Sequence, residues 1–175
     1  APGAKAVGFD AAVTDPGGGL TVRATDGDTV EIKVHRGDGS RQPSVARLIQ
    51  EGAGPMSLDL SWNAGDSAWV GSVDLDPALE RAGFVDVRFE DGNTLLAADI
   101  ESFVILPVSA ETDNTRLMSK DGGFELVIPA VSLSGDDWIT VHTTSLGGPA
   151  EDPLQRVGTA YGVHLSSGQT EFDPP

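Results

Sequence analysis

Apolar residues at every second position recur from one end of this chain to the other, and that period decides its architecture. Val30, Ile32 and Val34 alternate with Glu31 and Lys33. Leu58, Leu60 and Trp62 alternate with Ser57, Asp59 and Ser61. Val85, Val87 and Phe89 alternate with Asp86 and Arg88. Phe124, Leu126 and Ile128 repeat the pattern, as do Leu20, Val22 and Ala24, and Ile139 with Val141. Trp69, Val73 and Leu75 share a face across Gly71. Successive side chains of a strand point to opposite faces, so this reads as half-buried antiparallel strands with one apolar and one wet face. The expected core of the first half includes Trp69, Val85, Val87, Leu60 and Val30.

The punctuation agrees. Asp-Gly pairs stand at 26–27, 38–39, 91–92 and 121–122, where they can supply the positive φ angles of tight hairpins. Residues 84–89 and 94–100, joined through Glu90-Asp91-Gly92-Asn93, read as such a hairpin. The best helical signal is 76–83, with Asp76 as cap, Pro77 at the first helical position and Gly83 at the exit. Residues 44–50 fit either a helical face or a strand. Strands at this spacing predict an all-β chain built as a sandwich or barrel. A polar stretch without period follows Pro107. It divides the chain into two expected β-sandwiches in series, 1–106 and 115–175, with 107–114 as linker.

Composition excludes several kinds of work. The chain of 175 residues carries 27 acidic against 11 basic side chains, a formal charge of −16, which opposes binding to a phosphate backbone. It has no cysteine, which removes disulfides, thiolate metal sites and cysteine nucleophiles. No apolar run is long enough to cross a membrane as a helix. The chain opens Ala1-Pro2-Gly3, a small-residue junction of the kind a removed signal peptide leaves, although a fragment boundary looks the same. An extracellular or cell-surface location is the expectation.

Two family resemblances follow from particular residues. Trp69-Val-Gly-Ser-Val-Asp-Leu75, then Ala82-Gly83-Phe84-Val-Asp-Val-Arg-Phe89 and Asp91-Gly92-Asn93, resemble bacterial immunoglobulin-like or fibronectin type III modules. In the second half, an apolar strand ends in Ile128-Pro129, followed by Leu133-Ser134, an acidic turn at Asp136 and Ile139-Thr-Val141. Tyr161, Gly168 and Phe172-Asp-Pro-Pro175 come after. This series resembles the ZU-five domain of ankyrins, netrin receptors and bacterial surface proteins. Val131-Ser132 departs from the glycine that the family often has after its Ile-Pro corner. The family continues into another apolar strand after Phe-x-x-Pro, where this sequence ends. The resemblance therefore implies a slot that a neighbouring copy, or the segment Lys5-Ala-Val-Gly-Phe9, would fill.

Candidate chemistry is sparse. His35, His142 and His164 are the only imidazoles, and there is no Gly-x-Ser-x-Gly, His-Glu-x-x-His or phosphate-binding glycine loop. Asp26/Asp28, Asp74/Asp76 and Asp136/Asp137 are oxygen pairs of the kind calcium uses, without the EF-hand pattern. Arg36-Gly37-Asp38 is an integrin-type tripeptide at an expected hairpin tip. His164-Leu165-Ser166 matches the triplet at which some domains related to the ZU-five fold cleave themselves. Trp62, Trp69, Trp138 and Tyr161 sit in strand patterns and are read as core rather than as ligand platforms. The reading is a non-enzymatic module with no catalytic, metal or cofactor residue assigned, meeting a protein partner or its own copies through strand edges. The rivals are an accessory region of a secreted hydrolase and an autoproteolytic domain.

Overall fold

A computed structural model describes residues 19–110, 115–129, 133–144 and 160–168. Among them the chain is all-β, with twelve strands. These are β1 (Leu20–Ala24), β2 (Thr29–Val34), β3 (Val45–Gln50), β4 (Pro55–Ser57), β5 (Ser61–Asn63) and β6 (Ala68–Asp74). They continue as β7 (Ala82–Asp91), β8 (Thr94–Val108), β9 (Thr115–Met118), β10 (Glu125–Ile128), β11 (Asp137–Thr144) and β12 (Ala160–Leu165). A four-stranded sheet in the order β1-β2-β6-β5 faces a six-stranded sheet in the order β12-β11-β8-β7-β3-β4, and β9 and β10 form a separate hairpin. All of the pairings are antiparallel.

Alternation puts the core between the two large sheets. Val22, Val30, Ile32, Val34, Leu48, Val85, Val87 and Phe103 have no exposed surface, and Phe89 is nearly as deep. Trp69 and Leu60 belong to the same cluster, so all five expected core residues lie in it. Trp62 packs edge-on against Trp69, with ring centroids 5.6 Å apart. Val87 lies between Ala46 and Asp99 in the sheet register. Removing its two methyl groups costs apolar burial and leaves a small void, so Val87→Ala is expected to lose about 2 kcal/mol. The urea midpoint measures it, and an unchanged midpoint would contradict the inward face assigned to β7.

A second cluster lies on the other side of the six-stranded sheet. Leu117 and Ile128 of the β9–β10 hairpin meet Val108, Leu133, Ile139 and Leu165. The end of β8 at Leu106 and Val108, with Ile139 of β11 and Leu165 of β12, is therefore covered on the face away from the main core. The exposed edge of β1 is met by hydroxyls. Thr140 Oγ1 accepts from the Ala24 N–H at 2.8 Å, Ser166 donates to the Ala24 carbonyl at 2.7 Å, and Thr144 donates to the Leu20 carbonyl at 3.2 Å. Side chains thus do for this edge what a neighbouring strand would do.

Several expectations need correction. Residues 76–83 form no helix: the chain turns through 76–81, and Ala82 and Gly83 open β7. The buried Gln50 carboxamide accepts from the Asp76 N–H and donates to the carbonyls of Asp76 and Glu80, claiming the groups that a helix would pair internally. Asp76 accepts from the Ala78 N–H within that turn, so there is no helix for it to cap. Residues 44–50 resolve as strand β3. Pro107 and Val108, expected to open a linker, close β8 instead and pair with Trp138 and Asp137. The Asp91-Gly92 hairpin is present, with φ +58° at Gly92. At Asp26-Gly27 the reason for glycine differs: a Cβ there would lie 2.5 Å from Cζ2 of Trp138, so close approach of that ring is what excludes a side chain.

Candidate functional site

Two of the three histidines meet across the β11–β12 pair. Val141 pairs with Val163 and His142 with Gly162, while Thr140 faces His164. Thr140, His142, Gly162 and His164 therefore share the face turned toward β1, and Ile139, Val141, Val163 and Leu165 share the other. His142 is 2% exposed. Its ring crosses the place where a side chain at 162 would stand: a Cβ on Gly162 would be 2.3 Å from His142 Nε2. The absence of that Cβ lets His142 reach the diagonal neighbour, His164.

The proton positions follow from the partners. His142 Nδ1 lies 2.7 Å from the Thr143 carbonyl, which can only accept, so Nδ1 carries the proton and Nε2 offers a lone pair. That lone pair lies 3.1 Å from His164 Nε2, which donates to it. The ring planes differ by 12° and the centroids are 5.2 Å apart. This centroid distance is close to the Nε2–Nε2 distance plus two ring radii. The rings therefore meet tip toward tip with nearly parallel planes and do not overlap face to face.

Burial drives both imidazoles toward the neutral form. It pushes His142 down to about 4, with the Thr143 carbonyl opposing this and His164 adding to it. Burial also lowers His164, and the positive charge of Arg23 on β1 adds to that. In the unfolded chain a histidine titrates near 6.5. Above that value neither state holds the extra proton. As the pH falls from 6.5 toward 4, the unfolded chain takes up a proton that folded His142 refuses, so stability drops, by up to about 3 kcal/mol for a shift of this size. Below 4 the loss from this residue levels off. Urea unfolding between pH 7 and 4 is expected to show this slope in the native chain and a flatter one in His142→Gln. Equal slopes would contradict the buried neutral pair.

Other charged groups on the strands hold the fold. Arg36 and Asp99 form a buried bidentate pair, with both contacts at 2.8 Å. Arg36 is 5% exposed, so the Arg36-Gly37-Asp38 tripeptide does not present its guanidinium, and the integrin-type reading is corrected. Thr143 donates to Glu101 at 2.5 Å and accepts from the Ser102 N–H. Asp86 sits between Arg47 and Arg88. Burial would raise its carboxyl, but hydrogen bonds and charge from both arginines outweigh this and hold it below its ordinary value. Asp99 and Glu101 escaped the sequence reading. The signal was present, because both share the parity of Ala97 and Phe103 and so must face inward on β8.

The remaining candidates have structural partners. His35 Nε2 lies 3.1 Å from Thr21 Oγ1. In the His164-Leu165-Ser166 triplet, the histidine is bonded to His142 and the serine hydroxyl to the Ala24 carbonyl. Asp26 accepts from the N–H groups of Asp28 and Thr29, closing the β1–β2 turn. Asp28 holds Arg81, Asp74 accepts from Thr29, Asp136 from Ser109 and Ala110, and Asp137 from Trp138 and Ser167. Among the described residues no three His, Asp or Glu side chains converge as a metal site. Two surface clefts of about 490 and 380 Å³ share Pro107 and Trp138. Arg81 lies over the Trp138 ring at 4.8 Å, which covers the face that a ligand would stack on. Tyr161 stacks on Phe124 and donates to Asp121. Lys5–Phe9 and Phe172–Pro175 lie outside the described residues. Compared with protein-family models, curated proteins and solved structures, the chain matches none of them. No helix among the described residues is long and apolar enough to cross a membrane.

Proposed function

We propose that this chain is a non-enzymatic β-sandwich module of an extracellular or cell-surface assembly, acting through contact with a protein partner or with its own copies. The observation that carries this reading is where the polar side chains go. His142, His164, Thr140, Thr144 and Ser166 are engaged in joining β1, β11 and β12, where a catalytic group would point into a cleft. The strand order supports the immunoglobulin-like resemblance. β1-β2-β6-β5 opposite β8-β7-β3-β4 follows the order ABED opposite GFCC′ of that fold, with β11 and β12 added beyond β8.

The sheet edges indicate the contact element. β4 is short and contains Pro55, β5 has three residues, and β1 is covered by hydroxyls. β12 has six residues, ends the six-stranded sheet, and carries none of these devices among the described residues. Such an edge accepts a further strand. The expected result is no turnover of ester, glycoside, peptide or phosphate substrates, together with light scattering that shows association rising with concentration. Turnover that disappears on replacing His142 or His164 would overturn the reading.

A further inference from the structure

We infer that the His142–His164 pair is a binding site for a single soft monovalent d10 metal ion such as copper(I), held in line between the two Nε2 atoms. The inference goes beyond the proposed module function and does not depend on it. Four observations carry it. The two Nε2 atoms face each other at 3.1 Å in rings whose planes are nearly parallel. The Thr143 carbonyl fixes the His142 proton on Nδ1, which is the outer hydrogen bond that metal-bound histidines characteristically make, and leaves Nε2 as a ligand. Gly162 keeps the approach between the rings clear. His142 is also buried, which keeps competing water away from its Nε2.

The donor set selects the ion. Zinc and other tetrahedral ions need four ligands, and no third His, Asp or Glu converges here among the described residues. A d10 monovalent ion is satisfied by two ligands in a line, and imidazole suits copper. Two such bonds of about 2 Å span about 4 Å. The rings must therefore separate by less than 1 Å from their hydrogen-bonded 3.1 Å, and His164, only half-buried on the edge strand, is the one free to move. On binding, His164 gives up its Nε2 proton and takes one at Nδ1. The neutral pair becomes a complex with the charge of the ion, and no net proton is released. Arg23 on β1 opposes that charge, and Glu31, 3.7 Å from its guanidinium, offsets Arg23.

Copper(I), supplied as its acetonitrile complex under nitrogen to the full chain, would be titrated against a colorimetric copper(I) chelator. One ion per chain is expected. His164→Gln should weaken binding by more than about 100-fold, since losing a ligand exceeds the 10–100-fold loss from removing an outer partner. His35→Gln should leave binding unchanged. X-ray absorption of the loaded native protein should show two nitrogen neighbours in line and no sulfur, and this stands even if the variant fails to fold. Binding equal in the native chain and His164→Gln would overturn the site. So would sulfur ligation through Met56 or Met118, or no binding at all, the pair then holding only its shared proton.

Discussion

Replacing Arg36 by alanine is expected to cost about 3–5 kcal/mol, because it leaves the Asp99 carboxylate buried without its counter-charge. Asp99 is 2% exposed and stands opposite Val87 on the inward face of β8. Arg36 reaches it from the loop after β2 with Nε and Nη2, one on each carboxylate oxygen. With total stability of about 5–15 kcal/mol for a domain, such a loss brings the variant close to unfolding. The pair itself is worth far less than its breakage, since desolvating both ions offsets most of their attraction. Arg36→Met combined with Asp99→Leu is therefore expected to recover most of the loss, as urea unfolding of all four members of the cycle would show. A single variant as stable as the native chain would mean that Asp99 is not buried.

Phe103→Ala is expected to be as damaging, at about 3–5 kcal/mol. Phe103 has no exposed surface and is among the largest fully buried side chains. It also holds a special position along β8, pairing with Gly83 of β7 on one side and His142 of β11 on the other. Only around Phe103 and Val104 does β8 pair along both edges at once. A cavity there should loosen the junction as well as the core. Unfolding of Phe103→Ala by calorimetry should show a lowered midpoint. A midpoint within a degree or two of the native value would contradict the packing described.

The strands were legible because alternation is a local signal. Val30, Ile32 and Val34 can face a core only as a strand, and Gly92 sits where a two-residue hairpin requires a positive φ. The turn at 76–83 was misread because its local preferences are helical while its decisive partner, Gln50, is distant in sequence and reaches it through β3. Asp99, Glu101, Thr140 and His142 were hidden for a related reason. A polar residue on an inward face is stable only with a partner, and each partner comes from elsewhere in the fold: Arg36 of the loop after β2, Thr143 of β11, the Ala24 N–H of β1 and His164 of β12. Both histidines stood out as rare, yet their meeting depends on the β11–β12 register, which no local pattern sets. The polar stretch after Pro107 suggests a break, although strand pairing continues through Pro107 to Val108.

Strand β8 joins the two halves of the chain by carrying β11 on the edge opposite β7, with β1 tied to β11 and to Ser166 after β12 by hydroxyls. Native-state hydrogen exchange tests it most directly. The hydrogen-bonded amides of β11 over residues 139–142 are expected to open with the same free energy as those of β7 over residues 84–88, as parts of one cooperative sheet. Exchange of the β11 and β12 amides through a separate opening of much lower free energy, with β7 still protected, would contradict it.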